Sequence, residues 1–113
     1  MNRKVYPLVL VAVLWPYGVV GRTINVPDDY ATITSALLVA LPYDTVLVAP
    51  GTYYENIEWP YFKPGLKLLS QAASESTVID GGGDDTVIGI YASVDTTTII
   101  DGFTLQNGYA AGA

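Results

Sequence analysis

The chain has 113 residues, of which 50% are hydrophobic, with 5 Lys and Arg against 11 Asp and Glu and no His or Cys. This length suits one domain, and the charged fraction of 14% is too low for a disordered acidic tail. Without His and Cys, the composition excludes Ser-His triads, Cys nucleophiles, zinc sites and haem ligation. It therefore predicts a folded domain but indicates no reaction.

Residues 1–21 have the order of a secretory signal peptide: two early cations, an apolar run over residues 5–15, then Pro16 and Gly18. The run is too short for a transmembrane helix, which needs about 20 apolar residues. Val19 and Gly21 suit cleavage before Arg22, which predicts a secreted or cell-surface protein with no transmembrane segment after processing. An N-terminal strand or an uncleaved anchor remains the alternative.

Processing at that point changes the charge of the protein. Residues 22–113 keep three basic residues and all 11 acids, a formal charge of −8. A nucleic-acid partner is excluded, because binding to nucleic acid needs several cations per site. A bare uronic acid polymer is disfavoured for the same reason, unless calcium intervenes. Export without disulfides favours a bacterial source.

The first elements after residue 22 are a strand and a helix. Residues 23–26 alternate polar and apolar side chains, and Pro27 begins a turn. Thr32 is a suitable N-cap for a helix over residues 33–41, which Pro42 ends. One face of this helix is apolar and is expected to pack on the core; it consists of Ile33, Ala36, Leu37, Ala40 and Leu41.

Short segments with period two follow from residue 44 onward, bounded by Gly, Pro, Asp or Ser. They recur about every 20 residues, which is the repeat length of solenoids. Residues 77–81 (TVIDG) match residues 98–102 (TIIDG) at an offset of 21. The repeat predicts a parallel β-helix of about three coils over residues 45–107, with the helix covering its N-terminal end. A two-sheet sandwich is the alternative. The side chains expected inside are Val46, Val48, Leu66, Leu68, Ile79, Ile88, Ile100, Phe103 and Leu105.

Several of these segments resemble a known family. Residues 26–33 (VPDDYATI), 44–57 (DTVLVAPGTYYENI), 79–83 (IDGGG) and 101–108 (DGFTLQNG) are similar to the opening of bacterial exported right-handed parallel β-helix proteins of the pectin lyase-like superfamily. The resemblance covers nearly all of residues 23–109. It implies an all-β, right-handed parallel β-helix with a short N-terminal capping helix. It also implies that the chain is a fragment, with further coils downstream.

The same resemblance leaves two functional classes open, because the superfamily contains esterases, polysaccharide lyases and surface adhesins. The favoured one is a non-catalytic part of a secreted or cell-surface protein associated with polysaccharide binding. The alternative is the N-terminal portion of a polysaccharide-acting enzyme, a lyase or an esterase, whose catalytic coils lie downstream. No catalytic residue can be assigned, and Glu55 in the Gly-Thr-Tyr-x-Glu segment is expected to be structural.

The candidate metal ligands are four acids. An offset of one coil predicts that Asp80 and Asp101 lie one above the other. Such a pair could hold a cation or act as the two carboxylates of a glycoside hydrolase, but the simpler interpretation is repeated turns whose carboxylates accept backbone N–H groups. Asp84 and Asp85 follow a Gly-Gly-Gly run and are candidates for calcium, although adjacent loop acids are commonly just solvated. The sequence indicates no organic cofactor, and Ca²⁺ is the only metal ion that these acids suggest.

The candidate ligand-binding residues are aromatic. Tyr53, Tyr54, Trp59, Tyr61 and Phe62 surround the first long turn, between Gly51 and Pro64. Aromatic rings can stack on the apolar faces of sugars, or they can pack the turn against the core. The first interpretation predicts a glycan contact at Tyr54, Trp59 and Tyr61.

Overall fold

The fold was examined in a computed structural model, which describes residues 21–110. The predicted signal peptide, apart from Gly21, lies outside the described residues. Within residues 21–110 no helix has the length and apolar character needed to cross a membrane.

The described residues form one α-helix, α1, which spans Ile33–Val39, one 3-10 turn at Ser74–Ser76, and nine strands. In chain order the strands are β1 (Thr23–Val26), β2 (Thr45–Val48), β3 (Gly51–Tyr54), β4 (Ile57–Glu58), β5 (Lys67–Ser70), β6 (Thr77–Asp80), β7 (Ile88–Gly89), β8 (Ile99–Asp101) and β9 (Thr104–Gln106).

All strand pairs are parallel, and they form three sheets. Sheet 1 has the order β1-β2-β5-β8, sheet 2 the order β3-β6-β9, and sheet 3 pairs β4 with β7. From β2 onward the chain therefore visits sheets 1, 2 and 3 in turn, then repeats this order with β5, β6 and β7, and begins it again with β8 and β9. The prediction of a mostly-β fold with parallel strands and one short helix is confirmed.

The helix begins where the sequence predicts and ends two residues early. Thr32 is the N-cap, since its side chain accepts a hydrogen bond from the Ser35 N–H. Leu41 is 57% exposed, so its predicted place in the core is wrong. The helix ends at Val39, and therefore the helical spacing that would have placed Leu41 on the buried face does not continue to it. The other four residues of the predicted apolar face are buried as expected: Ile33, Ala36, Leu37 and Ala40.

The core lies between the sheets and under α1. Ile88, Ile100 and Phe103 are only partly buried and pack against this core. Leu105 is 49% exposed, which corrects the prediction. It lies on β9, the last strand of sheet 2 among the described residues, and pairs with Ile79 of β6. No later described strand covers it. The remaining side chains predicted to be inside have no exposed surface: Val46, Val48, Leu66, Leu68 and Ile79.

The predicted register is wrong for the later coils. In sheet 1, Thr45 pairs with Lys67, and Lys67 pairs with Ile99. The chain from Lys67 to Ile99 is clearly longer than the chain from Thr45 to Lys67, so the coils are unequal. Sheet 2 has a different interval again, because Gly51 pairs with Thr77. The two matching pentapeptides therefore do not occupy equivalent positions.

Asp80 and Asp101 are consequently not stacked. Asp80 ends β6 in sheet 2 and pairs with Tyr54 and Gln106, whereas Asp101 ends β8 in sheet 1 and pairs with Leu69. The pentapeptide match identified similar strands, but it did not identify neighbouring ones.

Candidate functional site

The segment after β3 holds the N-terminus of α1. Glu55 is half-buried, and its carboxylate accepts hydrogen bonds from the N–H groups of Ile33 (2.8 Å) and Thr34 (2.9 Å) and from the Thr34 hydroxyl (2.8 Å). These backbone N–H groups have no partner within the helix, and a negative charge is favourable at this end. These contacts give Glu55 a structural role at the helix N-terminus.

The same segment reaches the other end of the helix through Lys63. Its ammonium group donates hydrogen bonds to the carbonyl oxygens of Leu37 (2.8 Å) and Leu38 (2.7 Å). Burial lowers the pKa of Lys63, and the nearby charge of Asp44 acts in the opposite direction. A cation at the C-terminus of a helix complements the free carbonyl groups there. Lys63 is therefore committed to the fold.

Asp80 is a buried carboxylate with several partners. It accepts hydrogen bonds from the Gly82 N–H (2.9 Å) and from the side-chain amides of Gln106 (3.0 Å) and Asn107 (2.9 Å). These bonds, of which that from Gln106 has the largest effect, hold the pKa of Asp80 below its usual value of 3.8. They connect β6 to the end of β9, and the carboxylate acts as a link between successive strands.

The other three candidate metal ligands differ from Asp80 in being exposed. Asp101 is exposed at the end of β8, and Asp84 and Asp85 are exposed in the loop that follows β6. The Asp85 carboxylate accepts a hydrogen bond from the Thr86 N–H at 2.7 Å. Among residues 21–110, no group of three or more acids comes together in an arrangement suited to a metal ion.

An aromatic cleft lies between two loops. One side consists of residues 59–64, which follow β4, and the other of residues 91–95 with Thr98, which lie between β7 and β8. We call this the aromatic cleft; its volume is about 330 Å³. It is lined mainly by aromatic, proline and aliphatic side chains, and its described lining contains one base, Lys63, and one acid, Asp95.

Phe62 is the most exposed large hydrophobic side chain of the cleft. It is 92% exposed, and its ring centroid lies 6.0 Å from that of Tyr61, with the two planes tilted by 43°. Its backbone has a φ of 62°, a left-handed conformation that a bulky side chain rarely adopts. Backbone strain of this kind occurs at binding sites, although Tyr43, which does not line the cleft, has a similar φ of 68°. The turn therefore presents Phe62 to solvent at an energetic cost.

Tyr91 forms the opposite side of the cleft, and its ring lies close to a glycine. A Cβ atom on Gly89 would lie 2.7 Å from the Tyr91 ring, so the ring packs directly over the backbone of β7. Tyr91 nevertheless remains 65% exposed. The carbonyl oxygen of Gly89 also accepts a hydrogen bond from the backbone N–H of Trp59 at 2.8 Å, and this bond connects the two sides of the cleft.

The aromatic candidates from the sequence have different positions. Trp59 is only 1% exposed and lies in the core, at the base of the cleft. Tyr61 is 50% exposed and lines the cleft, whereas Tyr54 is 76% exposed on β3 and is not among the lining residues. Trp59 therefore packs in the core, whereas Tyr61 and Phe62 form an exposed aromatic surface.

Sequence reasoning missed the second side of the cleft, which Tyr91, Val94 and Asp95 provide. These residues belong to the connection between β7 and β8, residues 90–98, which is only one residue longer than the connection between β4 and β5, residues 59–66. No excess length marks this connection; it faces residues 59–64 because β4 and β7, the strands that precede the two loops, are paired in sheet 3.

Comparison with known proteins gave no match: no family model, no curated protein and no solved structure is significantly similar to this chain.

Proposed function

We propose that this chain is the N-terminal cap and first coils of a right-handed parallel β-helix in an exported protein. The cyclic order of the three sheets supports the proposal, because each sheet gains one strand per circuit of the chain. All ladders are parallel, and the inward positions of successive strands form apolar stacks such as Ile24, Val46 and Leu68. Helix α1 shields one end of this core.

The function proposed for the protein is non-catalytic binding of a polysaccharide at the aromatic cleft. The observation that carries it is the exposure of Tyr61, Phe62 and Tyr91 around one concave surface, with Phe62 held there in a strained conformation. Aromatic rings offer flat apolar faces that match those of sugar rings, and a cleft with a few polar groups at its rim suits a chain of hydroxyl-rich units.

The test is affinity electrophoresis of the protein in gels that contain soluble polysaccharides. We expect retardation of the wild type, and loss of retardation in Tyr91→Ala and Phe62→Ala. Tyr109→Ala is the matched control, because Tyr109 is a similarly exposed tyrosine that does not line the cleft. Retardation that persists in both cleft variants, or that Tyr109→Ala also abolishes, would contradict the proposal.

The same preparations test the alternative, a polysaccharide-acting enzyme. The protein is incubated with each polysaccharide that retards it, and new chain ends and released alcohol are then measured. A binding module leaves the polymer unchanged, whereas a lyase shortens it and an esterase releases alcohol.

A further inference from the structure

The single base in the described lining of the aromatic cleft is not available to a ligand. The Lys63 ammonium group already donates hydrogen bonds to the carbonyl oxygens of Leu37 and Leu38, at 2.8 and 2.7 Å. Its burial in the fold lowers the pKa of Lys63, in keeping with a group withdrawn from water. A carboxylate on a ligand would therefore have to compete with the helix C-terminus for this cation.

The acid of the cleft is fixed in its charged form at the rim. The exposed Asp95 carboxylate accepts hydrogen bonds from the Thr97 N–H, at 2.8 Å, and from the Thr97 hydroxyl. These bonds hold the pKa of Asp95 below its usual value of 3.8, so the group is anionic at neutral pH. An approaching anion meets this charge at the opening.

The surroundings add further negative charge. A second hollow of about 310 Å³ shares Tyr91 with the aromatic cleft and is lined by Glu58 and Asp85, both exposed. The chain from Arg22 onward has a formal charge of −8. Like charges reduce the affinity of an anionic ligand, and salt screens the effect.

We infer that the aromatic cleft selects uncharged glycans and rejects polymers of uronic acids. This inference rests on the proposed function and adds the class of ligand. Aromatic stacking supplies the attraction, which is the same for a neutral sugar and its uronic counterpart. Asp95 and the absence of an available cation in the described lining supply the discrimination.

The experiment is calorimetric titration of the full chain at low ionic strength with hexasaccharides of matched length. The neutral ligands are those of glucose, xylose and galactose, and the acidic one is hexagalacturonate. Fully methyl-esterified hexagalacturonate removes the charge while keeping the sugar skeleton. We expect at least one neutral ligand to bind at least tenfold more tightly than hexagalacturonate, with a smaller ratio at high salt, and esterification to raise affinity.

Two variants assign the discrimination to its source. Asp95→Asn should raise the affinity for hexagalacturonate several-fold and change that for the neutral ligand less than twofold, since an Asn oxygen can still accept the Thr97 N–H bond. Asp28→Asn removes the same charge from an exposed turn away from the cleft and should change neither affinity. Equal effects of the two variants would show that Asp95 is not the source.

The ways in which the inference can fail are distinguishable. If neutral and acidic ligands bind equally, and Tyr91→Ala weakens both, the charge inference is wrong while the proposed function stands. If hexagalacturonate binds more tightly, with or without added Ca²⁺, the inference is likewise overturned. If no glycan binds, both the proposed function and the inference are wrong.

Discussion

At the residue scale, Phe62 is the clearest departure from what stability alone would favour. A glycine would adopt its φ of 62° without strain, and a polar residue would better suit a position that is 92% exposed. An L-residue in this conformation costs about 1–2 kcal/mol. A substitution at position 62 can therefore remove the ring from the cleft without lowering the stability of the fold.

The first prediction is that Phe62→Gly abolishes glycan binding without lowering stability. Relief of the strain offsets the greater entropy that glycine has in the unfolded chain, so the free energy of unfolding should stay the same or rise by about 1 kcal/mol. Phe62→Ala is the control, because it removes the ring and keeps the strain. Urea titration combined with calorimetry tests both variants, and unchanged binding in Phe62→Gly would refute the role of the ring.

Asp44 gives a prediction for pH dependence. It is 3% exposed and accepts hydrogen bonds from the N–H groups of Arg22 (2.9 Å) and Leu41 (2.8 Å) and from the Arg22 guanidinium (3.0 Å). Burial by itself raises the pKa of Asp44, but these bonds and the charge of Arg22 outweigh it, so the pKa lies below 3.8. The ionised form is thus favoured by folding.

We therefore expect the stabilising effect of Asp44 to be complete above its usual pKa of 3.8 and to be lost as the pH falls from there through the lowered value. Asp44→Asn should cost about 1.5–3 kcal/mol at neutral pH, the range for hydrogen bonds to charged groups. Its difference from the wild type should shrink in acid. Urea titrations over a pH series measure this difference, with Asp84→Asn, a change at an exposed acid, as the control. A stability difference between the wild type and Asp44→Asn that grows as the pH falls would contradict the prediction.

At the element scale, α1 depends on a segment that is distant in sequence. The helix has seven residues, with no acid in its first turn and no base in its last. Helices this short are not stable alone. Glu55 supplies the missing negative charge and Lys63 the missing positive charge, so residues 55–63 hold both ends of the helix on the core.

The third prediction concerns this arrangement. Glu55→Gln removes the charge and directs an amide N–H₂ toward one of the N–H groups of Ile33 and Thr34, so we expect a loss of about 1–2 kcal/mol and a lower helical signal. Glu58→Gln, which changes an exposed acid of the same segment, should have little effect. Circular dichroism during thermal unfolding compares the two variants. Equal stability for both would show that Glu55 does not hold the helix.

Local elements were predictable where a local signal exists. Thr32 and Pro42 bound the helix to within two residues, and the alternation in the apolar side chains of β2 identified that strand correctly. The amide partners of Asp80 were not predictable, because they lie at the end of β9 and meet it through the register alone. Of the residues that line the aromatic cleft, Tyr61 was a candidate from the sequence, while the place of Tyr91 required knowledge of which loops lie side by side.

At the scale of the whole molecule, unequal connections decide the register of the strands. In sheet 1, the residues at one register position on successive strands are Thr23, Thr45, Lys67 and Ile99. The first two intervals are equal and the third is clearly longer. The prediction from the sequence repeat required coils of equal length. Because the coils are unequal, its placement of Asp80 and Asp101 one above the other was wrong. Most of the extra length lies in the connections from β5 to β6 and from β6 to β7, whereas the loop that carries Tyr91 and Asp95 is only one residue longer than its counterpart after β4.

A fourth prediction concerns the edge formed by β8 and β9, the last strands of sheets 1 and 2 in the described part of the chain. Ile99 is 40% and Leu105 49% exposed there. Apolar edge strands with free backbone groups favour association. We expect concentration-dependent self-association in analytical ultracentrifugation, reduced by Leu105→Lys and unaffected by Leu38→Lys, which alters an exposed leucine on α1. A monomer at every concentration would contradict this.

The most direct test of the binding site is a map of it by ¹H–¹⁵N NMR during titration with the neutral hexasaccharides. We expect the chemical-shift changes to concentrate in residues 59–64 and 91–98, with Phe62 and Tyr91 among the largest. The strands near Asp80 and the edge formed by β8 and β9 should remain unaffected. Changes confined to those strands, or no change at millimolar ligand, would contradict the assignment of the aromatic cleft as a glycan-binding site.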